Sequence, residues 1–160
     1  MSLALSTSWN AFRYEDGKEM VREIIGLGFT NLELSFNLTS SMVDDITALE
    51  ALGQVKIVSL HNFCPIPDAV ERRLALPDYY SLASLNKEER GLAIKFAKRT
   101  IDTAKRLNAQ AVVLHTGRIE IEDKTKVLME AFKSSGKDSN EFNRLREIMK
   151  QERKESIAPY

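Results

Sequence analysis

The chain has 160 residues, a length that predicts one domain. With 43% hydrophobic and 29% charged residues, and only 7 glycines and 4 prolines, it is not a disordered, collagenous or low-complexity sequence. Its 23 Lys and Arg cancel its 23 Asp and Glu, so the overall charge recommends neither nucleic acid nor an anionic membrane as a partner.

Cys64 is the only cysteine, which excludes an intramolecular disulfide and makes the cytoplasm the expected address. The N-terminal MSLALSTSWN has no basic start, and no apolar run approaches the ~18 residues of a membrane span. Neither secretion nor membrane insertion is expected.

Leu3 to Ser6 reads as a short strand. Asp16-Gly17 then opens a helix carrying Met20, Val21, Ile24, Ile25 and Leu27 at helical spacing, with Gly26 and Gly28 as its stop. Leu32 to Phe36 alternates apolar and polar residues, as a strand does between two environments, and places Glu33 and Ser35 on one face. Ser40 and Ser41 are the expected caps of a second helix with the stripe Met42, Ile46, Leu49 and Leu52, ending at Gly53. Val55 to Leu60 reads as a buried strand, broken by His61-Asn62-Phe63-Cys64-Pro65.

Asn62 to Leu85 holds three of the four prolines and reads as a long ordered loop with one short helix near Ala69 to Leu74; loops of this length usually carry function. Asn86 and Glu89 have capping-box spacing and start a long helix with Ala93, Ala97, Thr100, Ala104 and Leu107 on one face, ended by Asn108. Ala111 to Leu114 is the fourth apolar strand and runs into His115-Thr116-Gly117-Arg118. Two helical patterns follow, separated by Ser134-Ser135-Gly136. The mixed charges of Glu141 to Glu155 read as a solvated helix face.

Strands alternating with helices predict an α/β fold with parallel strands. A doubly wound sheet would carry a glycine-rich turn after the first strand, whereas the turn here is Ser6-Thr7-Ser8-Trp9-Asn10. A (β/α)₈ barrel fits better but takes about 250 residues, and only four of eight units are written. Gly117 to Tyr160 contains no fifth apolar strand. The expectation is therefore a single domain over residues 1–160 that is the N-terminal half of such a barrel. Its exposed sheet edges would invite the missing C-terminal half or a second copy as a homo-oligomer.

Both histidines, His61 and His115, directly follow apolar strands. The carboxyl ends of parallel strands are where ligands bind, and two adjacent strands would hold the imidazoles some ~5 to 10 Å apart. That suits ligation of a divalent metal, since neutral imidazole is the commonest protein ligand for such ions. The alternative is a pair with hydrogen-bonding roles only. Glu33, between two buried leucines, looks into the mouth and needs a cation or donor, with a neighbouring Arg or Lys as the plain solution. Trp9 is a candidate apolar wall of a sugar-binding mouth or a core residue. Arg118 is a candidate partner for a phosphate or carboxylate. Cys64 lacks the second pair of ligands that a zinc site would need and reads as a packed thiol.

The strings GFTNLELSF, VKIVSLHNFCPIPD and YYSLASLNKEERGLAIKFAKRTIDTAKRLNAQAVVLHTGR resemble the first half of the xylose isomerase-like TIM barrels, the sugar phosphate isomerase/epimerase and AP endonuclease family 2 group. The resemblance runs from about Leu3 to Arg118. In the endonuclease IV branch, histidines ending the third and fourth strands ligate zinc, and His61 and His115 occupy those places. In the isomerase and epimerase branch the main ligands sit on strands five to eight, and first-half residues line the pocket. The resemblance thus implies His61 and His115 as metal ligands or pocket residues, and Glu33 as site-lining, with Zn, Mn, Co or Mg as cofactor. It implies a sugar or sugar phosphate as substrate, a proton being moved next to a carbonyl whose oxygens the metal polarises. The alternatives are a zinc phosphodiesterase acting on abasic DNA and a non-catalytic half-barrel. The loops Arg13-Tyr14-Glu15-Asp16 and Pro65 to Leu76 are not rich in Lys or Arg, which speaks against DNA.

Overall fold

Three side-chain caps set where the first three helices begin. The Asp16 carboxylate accepts from the Glu19 N–H at 2.9 Å and starts α1, Gly17–Gly26. Thr39 Oγ1 accepts from the Met42 N–H at 3.3 Å and starts α2, Ser40–Ala51, one residue ahead of the expected serine caps. Asn86 accepts from the N–H groups of both Glu88 and Glu89 and starts α3, Lys87–Arg106. Asn108 ends that helix in the left-handed region at φ +48, where asparagine is among the few tolerated side chains.

This computed structural model describes residues 3–117 and 121–156. Between the helices run β1 (Leu5–Ser6), β2 (Asn31–Leu34), β3 (Lys56–His61) and β4 (Ala111–Val113), paired in parallel and in chain order. The order never reverses, so these strands contain no topological switch point of the doubly wound kind. After β4 come α4 (Thr125–Ser135) and α5 (Asn140–Glu155), two helices packed on each other through contacts such as Phe132 with Phe142. As its charge pattern predicts, α5 buries no residue. Among the described residues no helix is long and apolar enough to cross a membrane.

One cluster forms the main core. Met20, Val21 and Ile24 of α1, Met42, Val43, Ile46 and Leu49 of α2, and Ala104 of α3 with Leu107 just beyond it meet Leu32, Leu34, Ile57 and Leu60 of the sheet. Three helices therefore cover the same face of the sheet, and burial of each large aliphatic side chain there contributes about 1.5–3 kcal/mol. Leu27 and Leu52, expected on the buried stripes, instead cap their helices and are exposed.

Three local differences from the sequence expectations have physical causes. Strand β2 stops at Leu34 rather than Phe36, because the Ser35 N–H donates to Thr7 Oγ1 at 2.9 Å instead of continuing the sheet ladder. The short helix expected near Ala69 to Leu74 is a single 3₁₀ turn, Arg72–Leu74. Glu89 does not reach back to its cap; its carboxylate accepts from the Ser81 N–H at 2.9 Å and the Ser84 hydroxyl at 2.7 Å, fastening the end of the long loop to α3.

Helices α1 and α2 approach closely at Gly17, where a Cβ would stand 2.6 Å from the Met42 carbonyl oxygen and 2.9 Å from the Asp45 Cβ. Overpacking of this kind costs about 1–3 kcal/mol, more than the up to about 1 kcal/mol that alanine gains over glycine in a helix. Gly17→Ala should therefore lower the urea midpoint. Gly26→Ala, with nothing within 4 Å of the added carbon, should leave it unchanged or raise it. Equal midpoints for the two variants would show that the α1–α2 contact is not tight.

Candidate functional site at the carboxyl ends of the strands

The face of the sheet turned away from the helices carries polar side chains. Ser6 on β1, Glu33 on β2 and Ser59 on β3 are register partners and form one row. The Ser6 hydroxyl donates to Glu33 Oε1 at 2.9 Å and the Ser59 hydroxyl to Oε2 at 3.2 Å. Among the described residues Glu33 is thus held by two hydroxyls, with no Arg or Lys in an ion pair with it. Between Leu32↔Ile57 and Glu33↔Ser59 the register skips Val58, a β-bulge that lets Ile57 and Leu60 both face the core. Ser59 and His61, two residues apart, then share the open face.

His61 is the last residue of β3, and His115 lies two residues past β4. Their Nε2 atoms are 3.2 Å apart and their rings meet edge to face at 5.0 Å between centroids. The Phe36 ring lies edge-on to His61 at 5.6 Å. Partial burial holds the His61 pKa below the ordinary imidazole value; Glu33 pulls it up and His115 pushes it down. With one Nε2 protonated and the other bare, the pair makes a hydrogen bond; with both bare, two lone pairs face one point. Zinc–imidazole bonds of about 2.0–2.1 Å in tetrahedral geometry place two ligand nitrogens about 3.3 Å apart, so the observed spacing fits one ion held by both rings. Among the described residues no third His, Cys, Asp or Glu joins them.

The walls of this mouth are strapped by arginines. Arg72, from the 62–85 loop, donates through Nε to the Asn37 carbonyl at 2.9 Å, through Nη1 to the Tyr14 carbonyl at 2.6 Å and through Nη2 to the Ala11 carbonyl, and pairs with Glu15 at 3.1 Å. One guanidinium thereby ties together the loops that follow β1, β2 and β3. Arg99 of α3 donates to the carbonyls of Pro65 and Ile66 and lies over the Phe96 ring. Gly117, at φ +97, passes so close to Ala83 that a Cβ would stand 2.9 Å from its backbone nitrogen. That contact closes the loop after β4 against the long loop.

Trp9 is neither core nor free. It is 47% exposed just past β1, and Arg13 lies 4.5 Å over its ring while pairing with Glu23 at 2.8 Å. Cys64 is a buried thiol whose pKa burial pushes up to about 12, so it stays protonated and inert. Arg118 lies outside the described residues. The structure thus brings Glu33, His61 and His115 to one end of the sheet and places Trp9 after the first strand at that end. Sequence reasoning missed Ser6, Ser59, Arg72 and Arg99. The two serines were findable as inward-facing neighbours of Glu33 once register is known; arginines bound to backbone carbonyls leave no pattern in the sequence.

No protein-family model, curated protein or solved structure matches the chain.

The lowered His61 pKa sets a direction for stability. The unfolded chain protonates near the ordinary value of about 6.5, before the folded chain does, so stability falls as pH drops through the window from 6.5 down to the folded value. NMR titration should place His61 below 6.5, and His61→Gln should flatten the pH dependence of unfolding in that window. A His61 titration at or above 6.5 would contradict the desolvated setting.

Proposed function

We propose that the chain forms four consecutive units of a TIM-type β/α barrel, the first half of a divalent-metal-dependent sugar or sugar phosphate isomerase or epimerase. The observation that carries this reading is the His61–His115 pair, with Nε2 atoms 3.2 Å apart at the carboxyl ends of adjacent parallel strands, where barrel enzymes place their chemistry. The family resemblance supplies the reaction class. A bound divalent ion would supply Lewis acidity toward the carbonyl and hydroxyl oxygens of a sugar. His61 and His115 would contribute two ligands to that ion, the resemblance implying its main ligands on later strands. Trp9 offers an aromatic face to a sugar ring, and the Glu33 row gives the floor of the mouth its polarity.

A second reading, a zinc phosphodiesterase acting on abasic DNA, is favoured by one feature: the spacing suits direct ligation by both imidazoles, as the endonuclease branch uses them. Against it, arginines near the site among the described residues are already engaged: Arg13 with Glu23, Arg72 with three carbonyls and Glu15, Arg73 with Glu71, and Arg99 of α3 with Asp68. A DNA-binding mouth needs cations free to neutralise phosphates.

Trp9 is the only tryptophan, so its fluorescence reports on the mouth. In the presence of zinc, manganese or cobalt, a panel of aldoses, ketoses and their phosphates should shift Trp9 emission, and an abasic-site duplex should not. His61→Ala/His115→Ala should remove the metal dependence, and elemental analysis should show loss of bound ion. A metal-dependent response to the duplex alone would establish the nuclease reading, and no metal uptake by the wild-type chain would end both.

A further inference from the structure

Glu33 is placed to act on a cation at the histidine pair without touching it. Its backbone partner is Ser59, and His61 stands two residues further along the same strand and face, about 6.6 Å of strand rise away. Both carboxylate oxygens are occupied by hydroxyl donors from the flanking strands, Ser6 at 2.9 Å and Ser59 at 3.2 Å, which fix the group in the row below the imidazoles. No Lys or Arg among the described residues forms an ion pair with it, so none of those cations cancels its charge. Nor do Glu33, His61 and His115 form a three-ligand metal group.

We propose that Glu33 is the counter-charge of the metal site: a positioning carboxylate, pinned by Ser6 and Ser59, that strengthens binding of a divalent cation by His61 and His115 without coordinating it. The proposal rests on the metal reading of the histidine pair. A carboxylate held one row below binds no ligand position, so the ion keeps its open positions for substrate oxygens, as catalytic sites require. It also offsets part of the charge that a dication brings to a half-buried mouth with two neutral ligands. The two serines serve to keep Glu33 from swinging up to become a third ligand.

The test is zinc titration by calorimetry on the whole chain, with cobalt(II) absorption as the reporter of coordination. Glu33→Gln keeps the size and the acceptor oxygen of the side chain and removes the charge. It should weaken zinc binding by about 10-fold or more, the usual scale for outer partners of metal sites, and leave the cobalt bands where they are in the wild type. Ser59→Ala keeps the charge and frees one oxygen, so binding should be retained or tightened; tightening with shifted cobalt bands would show Glu33 joining the ion once released. A merely structural Glu33 would weaken alike in both variants, and that result overturns the proposal. Unchanged affinity in Glu33→Gln overturns it too, as do shifted cobalt bands in that variant, which would make Glu33 a direct ligand. If the wild-type chain takes up no zinc, or His61→Ala/His115→Ala binds as well as wild type, the metal reading itself fails and the counter-charge falls with it. Matching far-UV circular dichroism of every variant is the control for folding.

Discussion

Val58 is one residue more than strict alternation allows in its strand, and the site depends on it. In an unbroken strand Ile57 and Leu60, three residues apart, would face opposite sides; here both are buried against the helices. The bulge at Val58 absorbs the mismatch and re-phases everything beyond it, so that Ser59 meets Glu33 and His61 emerges on the open face above them. The bulged residue keeps its own carbonyl in use, accepting from the Gln110 N–H at 3.0 Å and so setting the start of β4. A single inserted residue thereby satisfies the core on one side and brings the Ser59 hydroxyl and the His61 imidazole into line with Glu33 on the other. Bulges next to active sites commonly re-aim side chains in this way.

The same division of faces explains what could be read from the sequence. Four parallel strands in chain order and three covering helices were legible, because apolar stripes at helical spacing, caps such as Asp16 and Asn86, and the short apolar runs at Leu32 and Ile57 are all local signals. The inward direction of Glu33 was legible too, since it lies between two leucines that the helices bury. Its partners were not, because Ser6 and Ser59 come from other strands, and the register of Ser59 is decided by the bulge. The string KIVSLH shows no irregularity by composition. Strand ends were misjudged where side chains take over backbone groups, as Thr7 does for Ser35.

The long loop was legible as ordered from its prolines, but not what orders it. A buried backbone must find partners for its carbonyls, and two arginines supply them. Arg72 serves Ala11, Tyr14 and Asn37, and Arg99 serves Pro65 and Ile66. Charge-assisted hydrogen bonds to several acceptors at once are what a planar guanidinium does better than an ammonium group. The consequence is that Arg72 and Arg99 are committed to holding the loops at the carboxyl ends of the strands in place.

The edge-on pairing of His61 and His115 then has a definite chemical meaning. Two imidazole nitrogens at hydrogen-bond distance can share one proton between them. The 3.2 Å spacing of the two nitrogens is close to the edge of a tetrahedral zinc shell. The open face beside the pair carries the polar row of Ser6, Glu33 and Ser59, so the two imidazoles stand at the end of a hydrogen-bonded polar strip and not against the apolar core.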